Sequence, residues 1–227
     1  MARNTRRTQR GETSLSRDRI IEASIELLDA GGEDGLTFRA LSERLGTGAG
    51  AIYWHIANKS DLLTAACDAI VAPTMRSATE GASPRDAIRA IGLGMFDAMD
   101  AHPWIGSALT QAAAQLPMVR ILEAIGRQVV ALGVTDAMRW HAGSALLHYL
   151  LGVAGQNAAN RRIARERQLV RADFLDAVAA QWAALDGDEF AFTRSIAPQL
   201  RDHDDRLDFA AGIDLILDGV QSASARP

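Results

Sequence analysis

Apolar residues recur along this chain at three- and four-residue intervals almost without a break, and no stretch of strand length alternates apolar with polar. A stripe of that period lies on one face of an α-helix, whereas a half-buried strand needs a period of two. The pattern predicts an all-α protein. An aromatic content of only 5 % and short β-branched runs agree with it. At 227 residues the chain is long enough for one or two domains with a real core. One cysteine, Cys67, excludes a disulfide framework and a cysteine-based zinc site. It reads as a small core residue on an amphipathic helix. No apolar run approaches the about 18 residues of a transmembrane helix. The arginine-rich start lacks the apolar stretch of a secretory signal, so no membrane association and a cytoplasmic location are expected.

Helix punctuation divides the chain. Residues 1–15 form a polar arm with Arg3, Arg6, Arg7 and Arg10. Ser16 reads as the N-cap of a first helix, stopped by Gly31-Gly32. Thr37 caps a short second helix that ends at Gly46. Thr47 is placed to cap an equally short third, running to about His55. Asn58 and Asp61 are spaced as a capping box for a fourth helix, which Pro73 should end or bend. Ser83-Pro84-x-Asp86 starts a fifth, Pro103 and Pro117 two more, and Thr135 a long helix reaching at least Asn160. A charged stretch, 161–171, is expected to be exposed. Helical patterns resume over 172–185, 189–200 and 204–221.

Two short helices joined at Gly46-Thr47 and preceded by a longer one make a helix-turn-helix arrangement. Residues 36–63, LTFRALSERLGTGAGAIYWHIANKSDLL, resemble the DNA-binding domain of the tetracycline-repressor (TetR) family. The match lies above all in Ile-Tyr-Trp-His-Ile-x-Asn-Lys followed by Asp-Leu-Leu. The resemblance is close over about 16–70. It is looser beyond, at His102-Pro103-Trp104 and at Gly212-Ile-Asp-Leu-Ile-Leu-Asp-Gly219. It implies a helix-turn-helix domain over 16–60 and a ligand-binding and dimerisation domain over 61–227.

The resemblance also implies roles for residues. Lys59, the only lysine beside 23 arginines, stands where the family places a phosphate contact, at a helix N-terminus whose free N–H groups assist it. Tyr53 and His55 would touch the DNA backbone, and Trp54 would pack on sugar or base edges. Arg39 occupies a position where many members contact base or phosphate; a bidentate guanine contact contributes about 1–3 kcal/mol of discrimination. Thr37 and Thr47 are equally placed as caps and as phosphate contacts. Gly48-Ala49-Gly50-Ala51 departs from the family pattern. None of the four offers a side-chain hydrogen bond to a base, which predicts thin direct readout with close backbone approach, methyl contacts and DNA shape in its place. Arg3, Arg6, Arg7 and Arg10 are candidates for an adjacent minor groove.

In the second half, Met95, Phe96, Met99, Trp104, Trp140, His148 and Tyr149 are candidate ligand contacts, with plain core packing an equal alternative. Gly152, Gly155 and Ala159 permit close helix approach. With Phe209, Ile213, Ile216 and Leu217 on the last helix they are candidates for a four-helix dimer interface. No metal site and no cofactor are expected: His141 and His148 lack a carboxylate at ligand spacing, and Gly46-x-Gly48-x-x-Ala51 follows a helix rather than the strand a dinucleotide fingerprint needs.

The expected function is a homodimeric, non-enzymatic repressor on a palindromic DNA operator, relieved by a small-molecule inducer. The alternatives are an activator of the same family, or a helical ligand-binding or enzymatic domain with an incidental N-terminal bundle. The net charge of −4 does not oppose DNA binding. Through Ser60 the balance is nine basic to eight acidic residues, so the acidity lies mainly in the second half.

Overall fold

A computed structural model describes residues 15–111 and 115–224. Arg3, Arg6, Arg7 and Arg10 lie outside them. The described residues form eleven α-helices, one 3₁₀ helix and no strand. The helices are α1 (Arg17–Gly35), α2 (Phe38–Leu45), α3 (Ala49–Tyr53), α4 (Lys59–Thr79), α5 (Pro84–Ala101), α6 (Trp104–Gln111), α7 (Leu116–Ala131), α8 (Asp136–Glu166), α9 (Arg171–Ala183), α10 (Ala191–Ile196) and α11 (Asp205–Ser224); the 3₁₀ helix is Ala197–Asp202.

The caps follow side-chain chemistry. Ser16, Thr37, Asn58 and Ser83 each accept a hydrogen bond from the backbone N–H three residues on, satisfying a donor that the first helical turn leaves free. Three expectations are corrected. The cap of α3 is Gly48 rather than Thr47, and the helix ends at Tyr53. Thr47 instead donates its backbone N–H to the Ser42 carbonyl in the turn. Pro73 does not end α4, which continues to Thr79. One lost backbone donor is outweighed by Val71, Met75 and Ala78, which are buried on both sides of it. Gly32, at a positive φ of 61°, interrupts α1 without terminating it. The stretch 161–171 is helical as far as Glu166, and Arg161 is half-buried against Asp100.

Helices α4, α5, α7, α8 and α11 pack around one apolar core that runs without interruption from Ile20 in α1 to Leu217 in α11. Helix α2 attaches to this body through α1, and α3 packs on α2. Cys67 is buried in the core, and burial pushes its thiol up to about 12, so it carries no thiolate at neutral pH.

At the rim, Asp214 of α11 accepts from Arg89 Nε at 2.8 Å and Arg85 Nη2 at 3.2 Å, clamping α11 to α5. These hydrogen bonds, Arg89 first, hold the Asp214 carboxyl below its ordinary value. A depressed folded-state value stabilises the fold above the ordinary carboxylate range and ceases to do so as the pH falls through it. Asp214→Asn is therefore expected to lower the melting temperature at neutral pH. The gap from the native chain should close as the pH drops below the ordinary value of 3.8, and melting curves against pH measure it.

Candidate nucleic-acid interface

Helix α2 ends because Gly46 takes a left-handed φ of 64°, reversing the chain so that its N–H and that of Thr47 return to the Glu43 and Ser42 carbonyls. Helix α3 has only five residues, too few to be stable alone. It is held from below by Ile52 and Ile56, both buried, and by Tyr53, whose ring stacks on Phe38 of α2 at 4.4 Å. What remains outside is a ridge of Gly48, Ala49, Gly50, Tyr53, Trp54 and His55, with Ala51 half-buried beneath it. Trp54 is 89 % exposed, the most exposed of the chain's large apolar side chains among the described residues. An indole is costly to leave in water, so a ridge of this kind marks a contact surface.

Arg39 is exposed on α2 and pairs with Glu43 one turn on at 3.0 Å. With Ser42, Gly46, Thr47, Gly48 and Ala49 the two line an open cleft of about 520 Å³. Thr37 is exposed, but its hydroxyl oxygen already accepts from the Ala40 N–H at 3.1 Å. A Cβ added at Gly48 or Gly50 would meet nothing within 4 Å. The chain's own packing thus gives no reason for either glycine. Lys59 has a role that its sequence position did not suggest: its ammonium donates to the Glu33 carbonyl at 2.5 Å, tying the end of α1 to the start of α4. Two of its three donors stay available.

The same end of α1 is fastened to the body. Asp29 Oδ1 accepts from Trp104 Nε1 at 2.7 Å and His102 Nδ1 at 2.8 Å, and Ser107 Oγ donates to Glu33 at 2.7 Å. Periodicity carries no signal for these contacts, because the partners lie about 75 residues apart. Asp29→Ala would leave the buried Trp104 N–H without a partner, at a cost of about 1–3 kcal/mol. The expected outcome is a matching loss in denaturant unfolding, and a smaller one for Asp29→Asn, whose side-chain oxygen can still accept.

In the second half the remaining candidates divide between the core and the surface. Met95, Phe96 and Met99 are buried in the core, and Tyr149 is half-buried with its hydroxyl donating to the Phe209 carbonyl at 3.2 Å. Trp104 is buried and borders a cleft of about 670 Å³ between α1, α6 and α8. Trp140 and His148 face outward, because Ala142, Leu146 and Leu150 turn the opposite side of α8 to the core. On α11, Phe209, Ile213 and Leu217 are likewise spent on the chain's own core, and Ile216 is half-buried. The outward apolar positions are Leu207, Ala211 and Leu215. On α8, Gly152 and Ala159 are exposed and Gly155 half-buried.

The helix-turn-helix segment is also what known proteins share. Residues 20–66 match the family model for bacterial regulatory proteins of the tetR family. Over 175 residues the chain is 30 % identical to an HTH-type transcriptional regulator of Saccharopolyspora erythraea, covering 76 % of this chain and 74 % of that protein. This chain belongs to the TetR family of transcriptional regulators. Among solved structures of the family, SCO7222 of Streptomyces coelicolor superposes with a TM-score of 0.85 at 49 % identity, over 93 % of this chain and 100 % of that one. The class A tetracycline repressor from transposon 1721 of Escherichia coli is 47 % identical over 60 residues, which is 26 % of this chain and 28 % of that protein. The strong local likeness to a tetracycline repressor is thus confined to a segment the size of the DNA-binding unit. None of the helices is long and apolar enough to cross a membrane among the described residues.

Proposed function

We propose that this TetR-family regulator is a homodimeric repressor: two copies bind a roughly palindromic operator, and a small molecule releases them. The observation that carries the DNA-binding part is the exposed Tyr53-Trp54-His55 ridge on a five-residue helix anchored by Ile52 and Ile56. Trp54 and Tyr53 supply apolar contact to the sugar–phosphate wall. Arg39, Thr47 and Lys59 supply hydrogen bonds to phosphate or base. Gly48 and Gly50, which no packing inside the chain requires, let the α3 backbone approach the groove closely. Sequence preference then rests on Arg39, on the methyls of Ala49 and Ala51, and on DNA shape.

Dimerisation uses α8 at the exposed Gly152 and Ala159, with the outward face of α11 at Leu207, Ala211 and Leu215. It sets two α3 helices about one DNA turn apart. The fastening of α1 to α6 through Asp29 and Glu33 couples the body to the DNA-binding unit. A ligand that binds better to a body in which α6 has moved shifts the population away from the DNA-compatible spacing. Trp104 lies at that junction. Met95, Phe96 and Met99 lie behind it, and methionine's soft, unbranched chain suits a core that opens to admit a guest.

The test is fluorescence anisotropy on DNA fragments recovered by in vitro selection from random duplexes. Enrichment of an inverted repeat, bound by two protomers with salt-dependent affinity, is expected. Failure to enrich any sequence or to bind duplex DNA at low salt overturns the reading.

A further inference from the structure

Arg39 and Glu43 stand one turn apart on α2, with 89 % and 67 % of their side chains exposed. The guanidinium donates from Nε to Glu43 Oε1 at 3.0 Å, and this is the one polar contact of the Arg39 side chain among the described residues. So exposed a pair at i,i+4 adds little to stability. Helix α2 is held instead by its Thr37 cap, by the buried Leu41 and by Phe38 stacked on Tyr53. The pair's position is more telling than its strength. With Ser42, Gly46, Thr47, Gly48 and Ala49 it lines the cleft where the turn leads into α3. Gly48 and Ala49 also belong to the exposed ridge, so the cleft opens beside it. The other basic side chains of 36–60 are engaged elsewhere: Arg44 pairs with Glu26, and Lys59 donates to the Glu33 carbonyl. An acid beside the remaining cation is unfavourable on a DNA face, because a carboxylate repels phosphate.

What offsets that repulsion is geometric. Arginine carries five N–H donors in a rigid plane. Glu43 takes the one on Nε and leaves those on Nη1 and Nη2, the fork that spans O6 and N7 of a guanine. A free arginine side chain loses rotamer freedom when it docks, and one already held at Nε loses less. Glu43 also cancels the charge of Arg39, and with it the attraction that would seat the guanidinium on any phosphate. A contact to an uncharged base edge suffers less from that cancellation. The pair therefore weakens binding to DNA at large and sharpens preference for one base.

We infer that Glu43 is a positioning residue for base readout: it holds Arg39 at Nε and aims the free fork at one guanine in each half-site. The inference rests on the DNA-binding dimer proposed above and names the residue that sets how its arginine reads. Glu43 touches no base itself and acts through Arg39.

The test uses the full chain and a duplex it selects from random sequence. Anisotropy is read on that operator, on copies with each G·C pair replaced, and on an unrelated duplex of equal length. Both side chains are exposed, so their removal opens no cavity, and a thermal melt of each preparation verifies folding. The native chain is expected to prefer one guanine per half-site by at least about fivefold, and Arg39→Ala to lose that preference. Glu43→Ala should lower it at least about threefold. The same variant should bind the unrelated duplex about twofold tighter or more, which loss of a merely helix-stabilising pair would not produce. Glu43→Gln keeps an acceptor for Nε without the charge, so it should restore the preference and retain the tighter unrelated binding. In the Arg39→Ala background, Glu43→Ala should change the preference at no guanine. An unchanged preference in Glu43→Ala, or one that survives Arg39→Ala, overturns the positioning role and leaves the DNA-binding reading standing. A native chain that selects no duplex overturns both.

Discussion

Trp54→Ala is expected to reduce operator affinity at least tenfold per half-site, and about a hundredfold for a dimer engaging both, without lowering the melting temperature. The side chain is 89 % exposed and supports nothing in the fold, so its removal opens no cavity. In the proposed DNA complex it would lose that exposure. Burying about 100 Å² of indole at about 25 cal/mol per Å² contributes about 2.5 kcal/mol, part of which is lost to ordering the side chain. Fluorescence anisotropy on a selected operator, with a thermal melt of the same preparation, measures both halves of the prediction. Tyr53→Ala provides the contrast. Its ring stacks on Phe38 at 4.4 Å and helps hold α3 to α2, so this variant should lose affinity and stability together. If Trp54→Ala binds the operator like the native chain, the ridge is not a DNA contact.

Gly212→Ala is expected to destabilise the fold by about 1–3 kcal/mol, as overpacking does. For a chain of this size that lowers the melting temperature by roughly 2–4 °C per kcal/mol, compared at equal protein concentration because the chain is expected to self-associate. A Cβ at position 212 would sit 1.9 Å from the Tyr149 hydroxyl and 2.4 Å from its Cζ. Tyr149 cannot simply swing away. Its ring stacks on Phe209 at 5.5 Å, and its hydroxyl donates to the Phe209 carbonyl at 3.2 Å, pinning α8 to α11. Moving it breaks both. In a Tyr149→Ala background the same Gly212→Ala change meets open space and should cost much less, and the difference between backgrounds is the coupling that a denaturant double-mutant cycle reads. Additive costs would show that Gly212 is not there to seat the tyrosine.

Gly212 and Trp54 also mark two kinds of legibility. The string around Trp54 is local: cap, turn glycine and short helices lie within thirty residues, and their chemistry sets the backbone directly. The helix-turn-helix, its caps at Thr37 and Asn58, and the outward ridge are all readable there. Even so, Thr47 and Gly48 exchange roles at the α3 cap. Either one suits a chain turning into a helix, and the two backbone hydrogen bonds closing Gly46 and Thr47 onto α2 decide between them. Of the two outcomes open at Pro73, an end or a bend, the structure rules out the end, because a proline's missing donor is a fixed cost while the burial of its neighbours is not visible along the chain. In the second half, apolar stripes are legible but their direction is not. Phe209, Ile213 and Leu217 form one stripe of α11, and Leu207, Ala211 and Leu215 flank another. Both have helical spacing. Only the packing of α11 against α5 and α8 assigns the first to the core and leaves the second outside. On α8 the same geometry turns Trp140 and His148 outward.

The sequence by itself determined that the chain is helical, where most helices begin, and that residues 36–63 make a helix-turn-helix of the TetR family, because period, caps and turns are set by neighbours within a few residues. Tertiary structure alone decided which apolar face each long helix buries and which glycine must lack a side chain. It also decided that Asp29 and Glu33 fasten α1 to α6. Each of those depends on atoms far apart in the chain meeting at van der Waals or hydrogen-bond distance, and no local rule of spacing encodes such a meeting.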